Sequence, residues 1–281
     1  MAGRGRGRGA LLLKELRRPG EPGKAQPTPT SDFTEQEKPC EDLDDLLSKM
    51  RLDDESYIKS VIDTAKLLAT SDENIEQMSK TIHEHTTEHP MFGMLGASIS
   101  QGLVKTDFGQ KYRANMLKLI QADFKNKGKL RSQSIVRFSG GVSYLCSVFN
   151  TLRSATGEPF KPLVIPVFDC LEMLLYETAK DVEITLCYTQ LKKMGFLLEE
   201  CNPERMQALL NLIRIKIIES STTEKARCQL MEIVELRANR WQDIPIEERK
   251  IYIDTLEEIS NMENSVTNNI QHYVVIARNT G

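Results

Sequence analysis

Three histidines fall close together in the stretch HEHTTEH, as His83, His85 and His89. His85 and His89 are spaced i, i+4, which is compatible with zinc. Thr86 follows His85, so there is no HExxH motif, and no carboxylate or third ligand is fixed beside the pair. The three are expected as solvated residues near a helix end, with no metal bound. Ser139-Gly140-Gly141 lacks the preceding strand that a phosphate-cradling loop needs. Gly93, Gly96 and Gly102 suit close helix packing better than such a loop. Glu199-Glu200 and Glu247-Glu248 are neighbours in sequence, point to different helix faces, and cannot act as an acid–base pair. No catalytic residue and no cofactor emerge, and the chain is not expected to be an enzyme.

The six cysteines are Cys40, Cys146, Cys170, Cys187, Cys201 and Cys228. None forms CxxC or another zinc spacing. Five sit in apolar helical runs, where a free thiol behaves as a small hydrophobe. Free thiols suit a reducing compartment, the cytoplasm or the nucleus. No signal peptide is visible, since Ala10 to Leu13 is too short and is followed by charges, and no apolar run reaches membrane-spanning length.

Charge is the more informative chemistry. The net charge is −3 over 281 residues, but it is unevenly spread. Residues 1–31 carry about +5 and residues 32–55 carry −7, which leaves the body near neutral. The chain begins MAGRGRGRG, in which Arg4, Arg6 and Arg8 alternate with glycine. Such a segment has nothing to pack and can bind RNA loosely through charge and guanidinium stacking. From Lys105 to Arg137 nine bases face only Asp107 and Asp123, a local net of +7. The core of this stretch, KNKGKLR, falls at a turn between helices. Lys118, Lys125, Lys127, Lys129 and Arg131 join Arg4, Arg6 and Arg8 as candidate contacts to RNA or to an acidic partner. The alternative is helix-end lysines that complement the helix dipole on an ordinary solvated surface. Few aromatics interleave with the charges, so base-specific readout is not indicated.

These residues must be positioned by helices. Residues 1–52 form a leader, first Gly/Arg-rich and then acidic, with four prolines between Pro19 and Pro29. Such a leader is expected to be disordered. Within it, Leu43, Leu46, Leu47 and Met50 recur at i, i+3, i+4 and i+7, marking a short acidic amphipathic helix. That helix either docks on a basic partner or leans on its own domain. It could also fold back over the basic turn and mask it. Residues 53–262 carry ten helical segments. Tyr144, Leu145, Val148, Phe149 and Leu152 mark the core face of one, which begins near Leu130 with Gly140-Gly141 as an interior weak point. Leu163, Val167, Leu171 and Leu174 mark the next, which Pro166 is expected to kink. Asn202 and Thr222 or Thr223 are expected caps. Residues 263–281 show no helical pattern and are expected as a flexible tail. Ten helices with short connectors imply an all-α, HEAT-like α-solenoid of about five antiparallel hairpins, with a closed bundle as the alternative.

Asn150 to Leu175, NTLRSATGEPFKPLVIPVFDCLEMLL, and Leu230 to Gln242, LMEIVELRANRWQ, resemble the middle domain of eukaryotic translation initiation factor 4-gamma. The likeness is to its small-protein branch, which contains the cap-binding-complex-dependent initiation factor and the poly(A)-binding-protein-interacting and stem-loop-binding-protein-interacting proteins. It covers about Asp54 to Gln242. The resemblance implies five HEAT-like hairpins and a scaffold that binds a DEAD-box RNA helicase, initiation factor 3 or RNA-bound adaptor proteins. The chain has no Leu-Asn-x-x-Ala-x-x-Phe-x-Pro type motif and no recognisable cap-binding-complex segment, so neither partner is implied. The matching stretches hold core and turn, and no contact residue is carried over. Trp241 is expected in the core, Arg237 and Glu235 in a charge network within the domain, and Arg153 and Glu158 paired with each other or with a neighbouring repeat.

Overall fold

The computed structural model describes residues 39–49, 55–154 and 156–279. Twelve α-helices lie among the described residues: α1 Pro39–Ser48, α2 Glu55–Leu68, α3 Asp72–Glu88, α4 Gly93–Val104, α5 Gly109–Lys125, α6 Lys127–Gln133, α7 Ile135–Thr151, α8 Val164–Met173, α9 Asp181–Cys201, α10 Pro203–Ile218, α11 Glu224–Ala238 and α12 Ile246–Asn279. Short 3-10 turns at Pro90–Phe92 and Lys161–Leu163 lead into α4 and α8. The described residues form no strand. A single bridge joins Arg153 and Pro159 across the turn that holds Gly157, whose φ of 82° suits glycine.

The chain is an all-α solenoid, as expected. Consecutive pairs α2–α3, α4–α5, α7–α8, α9–α10 and α11–α12 pack together. One row stacks α2, α4, α7, α9 and α11 in turn, while α3 packs on α5 and α8 on α10. Helix starts follow the capping residues. Ser71 Oγ accepts from Asn74 N at 3.2 Å, Asn202 Oδ1 from Arg205 N at 3.0 Å and Thr223 Oγ1 from Ala226 N at 3.2 Å.

Four expectations about the elements need correction. The helix expected from Leu130 breaks at Ser134, whose hydroxyl accepts from Arg137 N and starts α7 afresh. Gly140-Gly141 does not weaken α7: a Cβ at Gly140 would overlap the Thr87 carbonyl, so glycine is what lets α3 approach the α7 backbone. Pro166 kinks nothing, because it lies in the first turn of α8, where its missing N–H has no helical partner to lose. The final helix does not stop near Met262 but continues to Asn279, since no proline or glycine interrupts it.

Helix α7 is the spine. Every residue from Phe138 to Phe149 is buried except Gly141. Tyr144, Leu145, Val148, Phe149 and Leu152 are 4% exposed or less, and Leu163, Val167, Leu171 and Leu174 join the same core from the α8 side. Of the residues assigned to other faces of that segment, Phe168 and Leu175 are buried and Ile165 is exposed. Each fully buried Leu or Phe contributes about 1.5–3 kcal/mol. Helices approach closely here: a Cβ at Gly93 on α4 would strike Ser143 of α7, and one at Gly96 would strike the Thr86 side chain of α3. The buried thiols behave as hydrophobes, burial pushing Cys170 and Cys187 up to about 12. Among the described residues, no helix is long and apolar enough to cross a membrane.

The α11 end closes with Arg240 and Trp241 at φ of 57° and 62°, a left-handed pair that costs about 1–2 kcal/mol per residue. The Trp241 ring lies where a Gly195 Cβ would be, and its Nε1 donates to Glu199 Oε2 at 2.6 Å. Arg237 pairs with Glu199 at 3.1 Å, placing it within the expected charge network. Trp241 is partly buried against the core. Arg153 takes neither expected partner: it donates to the Leu152 carbonyl at 3.0 Å and to Phe149 O at 3.5 Å, the free carbonyl end of α7.

Close packing at α7 is testable by contrast with an open glycine. Gly140→Ala is expected to lower unfolding free energy by about 1–3 kcal/mol in urea melts. Gly128→Ala, whose Cβ meets nothing within 4 Å in α6, is expected to raise it by about 0.5–1 kcal/mol.

Candidate interaction surfaces

The histidine cluster is a packing device. His83 is not solvated but buried, with Nε2 2.9 Å from Asp123 Oδ2 and its ring edge-on to Tyr144. Arg137 donates to the same Asp123 oxygen at 2.9 Å. Burial alone would raise the Asp123 carboxyl, but the His83 hydrogen bond and charge, with Arg137, outweigh it and hold the group below its ordinary value. His85 Nε2 lies 2.8 Å from Asp44 on α1. His89 caps the Pro90 turn, its Nδ1 accepting from Met91 N. Among the described residues no group of three or more His, Cys, Asp or Glu is arranged to hold a metal. A second buried knot links α4, α5 and α7, where Ser100 Oγ sits 2.9 Å from the Tyr112 hydroxyl and 2.7 Å from that of Tyr144. Burial pushes Tyr144 up to about 12, so its hydroxyl stays protonated at neutral pH.

The acidic helix α1 leans on its own domain. Leu43 and Leu47 are 0% and 1% exposed in the common core, and α1 packs on α2 and α3. The Tyr57 hydroxyl donates to Leu46 O at 2.7 Å and ties α1 to α2. The apolar face of α1 is therefore seated on α2 and α3 and not over the α5–α6 turn. The amphipathic helix expected within the leader is formed, and its two leucines complete the core.

The basic stretch divides into structural and surface charges. Lys111 pairs with Asp72, and Lys118 lies 4.0 Å from Glu76 with both side chains exposed. Arg113 stacks on Phe160 at 4.6 Å. Arg131 is set apart from the other candidates. Its Nε and Nη2 reach the two Glu183 oxygens at 2.6 and 3.1 Å, and Glu183 is fully buried. The Lys180 N–H donates to the same carboxylate at 2.9 Å. Arg131 thus clamps α6 to α9 and offers no free charge to a ligand. Its signal in the sequence was Glu183 itself, a lone acid within the apolar run VEITLC.

Lys125, Lys127 and Lys129 remain at the α5–α6 junction. Lys125 and Lys129 are exposed and make no ion pair among the described residues; Lys127 sits over the Phe124 ring at 3.9 Å. The turn carries three clustered cations, held by Asn126, whose N–H and side-chain amide both bond to the Ala122 carbonyl. Arg4, Arg6 and Arg8 lie outside the described residues. A second surface, missed in the sequence, is an apolar groove of about 440 Å³ across α4, α7 and α9. Met91, Met94, Val136 and Val182 are about half exposed along it. Its signal was the serine spacing Ser139, Ser143, Ser147 on α7, small side chains that leave room between the larger apolar walls.

No family model matches the chain. Over 193 residues it is 30% identical to MIF4G domain-containing protein B of Danio rerio, covering 64% of this chain and 86% of that protein. The chain belongs to the MIF4G-domain family, the group related to the middle domain of translation initiation factor 4-gamma. The human MIF4G domain-containing protein is 26% identical over 186 residues, 64% of this chain and 83% of that protein. The CBP80/20-dependent translation initiation factor of Xenopus tropicalis is 30% identical over 223 residues, 78% of this chain. The match spans 38% of the length of that relative. The solenoid accords with the MIF4G-domain assignment; of the stretches that carry the resemblance, Asn150–Leu175 runs from the end of α7 through α8, and Leu230–Gln242 covers α11 and its closure.

The split between structural and surface charge predicts unequal costs. Arg131→Ala leaves the Glu183 carboxylate buried without its partner and is expected to destabilise the fold by about 3 kcal/mol or more. Lys125→Ala is expected to change stability by less than about 0.5 kcal/mol in the same denaturation assay.

Proposed function

We propose that this chain is a non-enzymatic adaptor in cytoplasmic translation initiation or its regulation. In this reading it binds initiation factors, namely the DEAD-box RNA helicase and initiation factor 3, together with proteins already bound to messenger RNA. Family membership supports the setting, since one relative is named as a translation initiation factor. The observation that carries the reading is the division of charge. Buried or half-buried ionic groups such as Arg131–Glu183, Arg205 with Asp169 and Glu172, and Lys192–Glu232 are consumed in holding helices together. Lys125, Lys127 and Lys129 are left on the open α5–α6 turn, where they suit an acidic partner surface.

The exposed turn also favours a second reading, a direct RNA-binding module that uses these lysines with Arg4, Arg6 and Arg8. Pull-down of the purified chain with the helicase and with initiation factor 3 tests the first. Retention of either factor, weakened by reversing Lys125, Lys127 and Lys129 to glutamate, is the expected result. Retention of neither would overturn the adaptor reading in this form. For the RNA reading, single-stranded RNA affinity must fall steeply with salt. The triple reversal should then reduce the log–log slope by about 2, at roughly 0.7 per phosphate contact. A flat salt response removes it.

A further inference from the structure

Helices α11 and α12 border a groove of about 700 Å³ at the C-terminal end of the described side chains. Cys228 and Met231 line it from α11, and Ile251, Tyr252 and Ile259 from α12. Ile251 is 67% exposed and Met231 48%, so the apolar lining is open to solvent. Four glutamates, Glu224 and Glu235 on α11 with Glu248 and Glu258 on α12, stand around it. Among the described residues none of the four makes an ion pair; Glu235 is engaged only by the Tyr252 hydroxyl. Among the described residues, the one base lining the groove is Arg227, which turns Nη2 onto the Glu219 and Ser220 carbonyls at the end of α10, at 3.1 and 3.5 Å. Its charge is directed at that helix end.

The geometry points to this groove as a docking site for a basic amphipathic helix of a partner protein. The lining residues follow helical spacing on both walls, Glu224, Cys228, Met231 and Glu235 on one and Glu248, Ile251, Tyr252, Thr255 and Ile259 on the other. Eleven residues of α-helix span about 16 Å, so each wall offers three turns of contact. A ligand helix that presents apolar residues at i, i+3, i+4 and i+7 would cover the exposed isoleucine and methionine. Lysines or arginines at both of its ends would meet the four uncompensated carboxylates. An acidic or neutral helix would leave those charges without partners and add like-charge repulsion.

This inference rests on the adaptor reading only for its use in the cell, and the two fail separately. The probe is a fluorescein-labelled, helix-forming 14-residue peptide with leucine at i, i+3, i+4 and i+7 and two Lys/Arg at each end. A second peptide carries glutamates in place of the bases. Anisotropy with the full chain should show binding of the basic peptide alone. The combined variant Glu224→Lys, Glu248→Lys, Glu258→Lys should weaken it at least tenfold. Reversing the exposed Asp63, Glu73 and Glu84 to lysine makes the same change in net charge far from the groove and should leave the Kd within twofold. Met231→Gln, an exposed single change, should weaken binding about fivefold without a charge change. The proposal is overturned if the basic peptide does not bind, if the glutamate peptide binds equally, or if the two charge-reversed variants lose affinity alike. Loss of initiation-factor capture with intact peptide binding counts against the adaptor reading and leaves the groove assignment standing.

Discussion

The close approach of α3, α4 and α7 to one another, made possible by glycine, is the constraint on which the rest of the molecule depends. Gly140 admits the Thr87 carbonyl, Gly96 admits the Thr86 side chain and Gly93 admits Ser143. Helices this close shed water and bury their polar groups, which must then find partners nearby. The Ser100–Tyr112–Tyr144 knot and the His83–Asp123–Arg137 cluster supply such partners between the same helices. Buried polar atoms without partners also gather at this seam, as Thr86 Oγ1, Ser139 Oγ and His83 Nδ1. The seam is therefore where a change of one methyl group is felt most strongly.

Once the spine is fixed, charge is divided by position. Side chains that point toward a neighbouring repeat become clamps, as Arg131 does on Glu183 and Arg205 does on Asp169 and Glu172. Those at turns keep their charge for solvent or a partner. The α5–α6 junction ends up cationic and the α11–α12 groove anionic, two surfaces of opposite sign on one core. Stability thus comes from apolar burial, while the charges that the core does not consume stay at the surface.

The all-α solenoid was legible because apolar periodicity and helix caps are local signals. Tyr144, Val148, Phe149, Val167 and Leu171 lie in the core where their spacing put them. What could not be read depends on residues distant in sequence. Arg131 resembles its lysine neighbours until Glu183, fifty-two positions later, is brought against it. His83 reads as a helix-end histidine until α5 delivers Asp123 forty positions on. Gly140 reads as a helix breaker because its reason, the Thr87 carbonyl, belongs to another helix. Pro166 reads as a kink because the apolar run starts before the helix does: α8 begins only at Val164, after the 3-10 turn Lys161–Leu163, which makes Pro166 an ordinary first-turn residue. The acidic groove was hidden for a similar reason, since its four glutamates belong to two helices and each alone is a solvated acid.

The central claim is that α7 is the rigid element from which the surfaces take their geometry. Native-state amide hydrogen exchange measures this most directly. The account predicts that amides from Val142 to Phe149 exchange last, at the free energy of global unfolding, while those of α6 and of α12 near Glu248–Met262 open earlier. If the α7 amides exchange as readily as those of α12, or through a local opening well below global unfolding, the claim is contradicted.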